Sequence, residues 1–220
     1  STLFFSKNRF LKSSRSFGDI VFDRIFFRDI ISSVEDIHNL AEAINEAFLQ
    51  TENPNRDIAF GRDDTLNKDT PALLSKNAQI ILSQRIPCTG QHISELLLEQ
   101  KKYDEQTVQI LNKMEKAESD FFSNPANPLF NWNEETAAEV FIKYGLECSY
   151  KGTVITEKRR ISENEINRWF NKTESSYGAA VAHEIGVQNA EKVAELLKAA
   201  AKDTLFSWKT RNVIFKITKA

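Results

Sequence analysis

The sequence predicts an α/β fold, and three observations carry that expectation. Two runs dense in β-branched and other apolar residues, Asp19-Ile-Val-Phe-Asp-Arg-Ile-Phe-Phe and Ala78-Gln-Ile-Ile-Leu-Ser-Gln, contrast with segments whose apolar residues recur every three or four positions. These two runs flank one such helical segment, and the connection is long enough to favour a right-handed parallel crossover. With 220 residues, 41% of them hydrophobic, sixteen Phe, seven Gly and five Pro, the chain has the composition of an ordered globular protein. That length suits one large or two small domains, with no disulfide or metal needed to build a core.

Taken in order, the run from Asp19 has too little polarity for a one-sided sheet and reads as a strand buried on both faces. Ser32 and Glu35 have capping-box spacing, and Val34, Ile37, Leu40, Ala41, Ile44, Ala47 and Phe48 then follow at helical intervals to about Gln50. Residues 51–71, with Pro54, Gly61 and Pro71, read as a surface excursion before a strand at 78–84. A helical insertion is expected over about 90–145. It holds one helix from Gly90 to Lys102, carried by Ile93, Leu96, Leu97 and Leu98. A second from Asp104 aligns Val108, Leu111, Met114 and Phe121, and Asn124-Pro-Ala-Asn-Pro halts it. A third, from Glu134 to Tyr144, has Asn133 as its cap and Gly145 at its left-handed end. Residues 146–156 form one long strand or a hairpin pivoting at Gly152. Ser162 and Glu165 make a second capping box, with Ile161 and Ile166 as its hydrophobic staple, and the helix ends near Phe170. Helices over 177–185 and 189–202, the latter aligning Val193, Leu196, Leu197 and Ala200, precede a strand at 213–217. There is no internal repeat.

The seven glycines, at 18, 61, 90, 145, 152, 178 and 186, never lie closer than seven residues apart. This excludes the glycine-rich phosphate loops, which need several close backbone amides aimed at one anion. Lys and Arg number 29 against 31 Asp and Glu, so a net charge of −2 gives no global attraction to nucleic acid or anionic membrane. Lys7, Arg9, Lys12 and Arg15 form a local basic stretch, expected to be a solvated edge or a fragment boundary, with a phosphate-binding arm as the competing reading. Cys88 and Cys148 are too few for a disulfide framework and too isolated for zinc. No apolar run nears the ~18 residues of a membrane span, so no membrane partner and a reducing, cytoplasmic setting are expected.

Neither a G-x-S-x-G elbow nor an H-E-x-x-H motif is present, and His38, His92 and His183 are dispersed. Asp23 and Asp29 stand out among the acids. Asp23 lies within an apolar strand and Asp29 just past its carboxyl end, where open α/β sheets bind ligands. The competing reading of Asp23 is an ion pair with Arg24, Arg28 or a lysine. With Arg28, Gln84 and Gln91, the two aspartates define a candidate cleft at the strand ends. No catalytic, cofactor or metal residue is assigned. Trp132, Trp169 and Trp208 are either base-stacking platforms or buried anchors.

Several strings resemble one family. They are Phe22-Asp-Arg-Ile with Arg28-Asp, Gln84-Arg-Ile-Pro with Gln91-His-Ile-Ser-Glu-Leu-Leu, Asn124-Pro-Ala-Asn-Pro-Leu-Phe-Asn-Trp132, and Arg159-Arg-Ile-Ser with Trp169-Phe. In this order, over about residues 18–218, they resemble the methyltransferase-like domain fused behind a RarA/MgsA-type AAA+ ATPase. The resemblance implies the second half of a class I methyltransferase (Rossmann-like) sheet, closing with an antiparallel strand beside the second central strand, with added helices. It further implies a single-domain fragment of a longer chain and a non-catalytic role in binding or assembly during DNA replication, recombination and repair. The implied partners are its own upstream ATPase portion or a replication or repair protein, with DNA reached through the parent. ATP binding belongs to that parent. S-adenosylmethionine would need an upstream segment, because no residue here fills the cofactor positions. The D/N-P-P-Y-type motif of amino-methyltransferases is replaced by Phe26-Phe-Arg-Asp. Two alternatives accompany this reading. One is an S-adenosylmethionine-dependent methyltransferase lacking its cofactor half, with substrate near Arg28, Asp29 and Gln84. The other is a winged-helix-like DNA reader over residues 161–217.

Overall fold

The computed structural model describes residues 2–6, 21–52, 73–202 and 204–220. In chain order its elements are β1 (Thr2–Ser6), β2 (Val21–Arg28), α1 (Val34–Glu52), β3 (Leu73–Arg85), α2 (Ile93–Gln100), α3 (Glu105–Phe122), α4 (Glu134–Lys143), β4 (Leu146–Arg159), α5 (Glu163–Trp169), α6 (Ser176–Ile185), α7 (Val187–Ala201) and β5 (Phe206–Lys219). The fold is mixed α/β. The basic stretch Lys7, Arg9, Lys12 and Arg15 and most of the 51–71 excursion lie outside the described residues.

The strands form one sheet in the order β1-β2-β3-β5-β4. β1 and β2 pair in parallel, as do β2 and β3, so the connection through α1 is a parallel crossover as expected. β5 runs antiparallel to β3, with Ile80 opposite Ile217 and Arg85 opposite Asn212. Side-chain bonds between Glu147 and Thr218 and between Lys158 and Ser207 show that β4 and β5 are also antiparallel. Residues 146–159 are one continuous strand, so Gly152 is not a hairpin pivot.

Two compact units divide the chain. The first takes the described residues up to Ile86, with Asn131–Thr153 and Asn212–Ala220. Its core is made by Ile25 and Phe27 of β2, Ile80 and Leu82 of β3, and the face of α1 formed by Ile37, Leu40, Ala41, Ile44, Ala47 and Phe48. α4 buries Ala137, Ala138 and Phe141, with the Phe141 ring 6.3 Å from that of Phe215 on β5. Trp132, at the foot of α4, is 2% exposed and so is a buried anchor. β2 departs from the expected two-faced burial. Asp23 and Arg24 are exposed and Phe26 is half-buried, and the register with β3 shifts between Phe22 and Arg24.

The second unit takes Pro87–Phe130 and Val154–Arg211. Of the helices between residues 90 and 145, α2 and α3 lie here and α4 in the first unit. Ile93, Leu97, Leu111, Met114, Val193 and Leu197 are among its core residues. Burying each such side chain is worth roughly 1.5–3 kcal/mol. α7 buries Ala190, Val193, Ala194, Leu197 and Ala201, so the expected stripe shifts and Leu196 and Ala200 are only half-buried.

Local caps follow the sequence closely. Asn133 caps α4 through the Thr136 N–H, and Gly145 takes φ +75°. Ser162 and Glu165 form a complete capping box on α5, with Ile161 and Ile166 both buried beside it. At α1 the exchange is displaced by one residue. Ser33, not Ser32, accepts from the Asp36 N–H, and the Asp36 carboxylate accepts from the Ser32 N–H.

Candidate functional site

The carboxyl ends of β2 and β3, in the first unit, gather three of the predicted residues. Asp29 follows the last residue of β2 and turns the chain with φ +49°, the one positive φ outside glycine among the described residues. Aspartate tolerates this conformation better than most side chains because its short carboxylate bonds locally. Its N–H donates to the Ser83 carbonyl at 2.9 Å. Its Oδ1 accepts the Arg85 backbone N–H at 3.1 Å and lies 3.3 Å from the Arg85 guanidinium. The Arg28 guanidinium is 3.8 Å from Oδ2. Both arginines are largely exposed, whereas Asp29 is about one-quarter exposed.

Gln84 stands beside this turn but is buried. Its Oε1 accepts the Ile31 N–H at 3.1 Å, and its Nε2 donates to the carbonyls of Ile31 at 3.0 Å and Arg85 at 3.1 Å. The side-chain amide thus acts as a strand partner for Ile31 and fixes the loop that enters α1. Asp23 is not part of the group. It lies near the amino end of β2, five residues from Arg28, which at ~3.3 Å per residue is ~16 Å away along the strand.

Gln91 belongs to the second unit, and its partners are there. It donates to the His92 carbonyl and to Glu95, and accepts the Lys209 N–H at 2.8 Å. The Lys209 ammonium spans Glu95 at 2.7 Å and Glu99 at 3.2 Å. The hydrogen bond from Lys209 lowers the Glu95 pKa, and the bonds to Glu95 and Glu99 raise that of Lys209.

Sequence reasoning missed the most heavily bonded carboxylate among the described residues, Glu118 of α3, which is fully buried. It accepts the backbone N–H groups of Ile93 at 2.6 Å and Ser94 at 3.2 Å, the Ser94 hydroxyl, and the Tyr177 hydroxyl at 2.7 Å. The carboxylate therefore occupies the amino terminus of α2 and ties it to α3 and α6. Burial first, then the neighbouring Glu118 charge, raises the Tyr177 pKa well above its usual value. A signal was available, since Glu118 falls four residues after Met114 on the apolar stripe of α3.

Arg159 and the tryptophans form a third group, within the second unit. The Arg159 guanidinium lies 4.3 Å from the Trp208 ring centroid and 5.8 Å from that of Trp169, and 2.7 Å from Glu165. This is a cation–π arrangement held by an ion pair. Bonds from the Ser162 backbone N–H and hydroxyl, with Arg159 adding to them, pull the Glu165 pKa down to about 2.

The remaining candidates do not converge. His183 is exposed at the end of α6, and no group of three His, Cys, Asp or Glu among the described residues could hold a metal ion. Burial pushes the Cys148 thiol up to about 12, so it stays protonated at neutral pH. A cavity of about 300 Å³ lies along α7, with Ala190, Ala194, Lys172 and Glu191 among its lining residues. Among the described residues, no helix is long and apolar enough to cross a membrane.

No protein-family model matches the chain, and a search of curated proteins finds no match.

Proposed function

We propose that this chain is a methyltransferase-like α/β domain that works by binding and transfers no methyl group, similar to the C-terminal domain of a RarA-type AAA+ fusion protein. The observation that carries this reading lies at the ends of β2 and β3, where enzymes of that fold present their polar catalytic residues. There, Asp29 is engaged by Arg85 and Arg28, and the Gln84 amide is spent on backbone groups of Ile31 and Arg85. Nothing in this cluster leaves a buried, unengaged group for proton removal or nucleophilic attack. The sheet order supports the same reading, because an antiparallel β5 seated beside β3 is the closure that the resemblance implies.

On this reading the domain docks onto the ATPase portion of its parent or onto a replication or repair protein. DNA and ATP are contacted elsewhere in that parent, in the cytoplasm. The test is calorimetric titration with S-adenosylmethionine, performed on this chain and on the chain with its natural upstream segment. The expected result is no binding in either case. Binding to either form would overturn the non-catalytic reading and favour the methyltransferase alternative.

A further inference from the structure

β4 is the outermost strand of the sheet, with β5 on one side and no described strand on the other. Its residues are exposed over most of its length, including Tyr150 at 41%, Val154 at 57% and Ile155 at 46%. A long edge carrying apolar side chains is a template for a further strand. Edge charges normally discourage such pairing, and β4 carries Glu147, Lys151, Glu157, Lys158 and Arg159. Whether they block it or direct it depends on their order.

In an antiparallel pair of identical strands related by a two-fold axis, the numbers of facing residues have a constant, even sum, because facing side chains share one face of the sheet. Centring the pair on Val154 sets Lys151 opposite Glu157 of the second copy, and does so twice by symmetry. Thr153 then faces Ile155, and Val154 faces its own equivalent. Centring on Gly152 would oppose Glu147 and Glu157, and centring on Ile155 would oppose Lys151 and Arg159, both like-charged pairs. Centring on Thr153 would set Lys151 against Ile155 and call on Arg159, already held by Glu165 at 2.7 Å. Lys151 and Glu157 form no ion pair among the described residues. The charge order thus favours one register, in which an apolar centre is flanked by opposite charges.

We propose that β4 is a self-association edge, on which a second copy of this chain pairs antiparallel about Val154. The test is sedimentation velocity on the whole chain over a range of concentrations, with circular dichroism to check folding. The wild type is expected to move from its 25.2 kDa monomer to a species of twice that mass as concentration rises. Lys151→Glu and Glu157→Lys each place like charges opposite one another twice, and each should weaken association by roughly ten-fold. The double variant Lys151→Glu/Glu157→Lys restores opposite charges and should restore association. A wild type that stays monomeric overturns the proposal. So do single variants that associate as the wild type does, or a double variant that fails to recover.

Discussion

Two carboxylates, one in each unit, show how differently the same chemical group is used. Asp29 sits at a strand end beside two largely exposed guanidinium groups. Glu118 is fully buried and meets only neutral donors, from two backbone amides and two hydroxyls. Exposed ion pairs are worth little, because water and salt screen them and long side chains lose entropy to hold them. A buried acceptor serving several donors cannot be removed without leaving those donors unpaired in a dry interior. Opposite charge marks the weaker of the two arrangements, and desolvation marks the stronger.

The sharpest way to break this comparison is Glu118→Ala. It orphans the amino terminus of α2 and the Tyr177 hydroxyl, and should cost at least about 3 kcal/mol in denaturant unfolding. An effect as small as that of a surface substitution would mean that water reaches the site. Tyr177→Phe removes a single donor and should cost roughly 1–2 kcal/mol in the same assay.

An intermediate case is Glu165, a partly exposed carboxylate that also serves a helix cap. Its pKa is lowered from 4.5 to about 2. A group depressed in the folded state stabilises fully above its unfolded pKa, and that contribution disappears as pH falls from about 4.5 through about 2. Thermal melts across this range should show that Glu165→Gln flattens the acid-side loss of stability, while leaving its slope near neutrality unchanged. The smallest effect belongs to Arg85→Ala. The backbone N–H bond to Asp29 survives it, so the expected loss is under about 1 kcal/mol and shrinks further in high salt.

The same contrast explains which features were legible in the sequence. Ser162 with Glu165, and Asn133 before α4, act over three residues, and their geometry follows from helix spacing alone. The start of α1 moved by one residue because Ser32 and Ser33 both satisfy the local rule and the second of them caps the helix. Gln84 meets Ile31 across 53 positions, and Glu118 meets Tyr177 across 59, distances at which periodicity carries no information. For Gln84 nothing distinguished a buried clamp from a cleft residue. For Glu118 the acid on an apolar stripe was readable, but its partners were not. Asp23 misled because the apolar run implied burial, whereas Asp23 and Arg24 are both exposed beside a register shift.

The position of β5 also bears on how the chain comes to its native state. Although β4 precedes it in the sequence, β5 lies between β3 and β4. β4 has its sheet partner in residues 206–219, so its place in the sheet depends on a segment made after it. Joining Arg85 to Asn212 closes a very long loop, the kind of event that slows folding and prolongs exposure of sticky intermediates. The pairing of β5 with β3 thus joins residues far apart in sequence, and β4 meets the sheet only through β5.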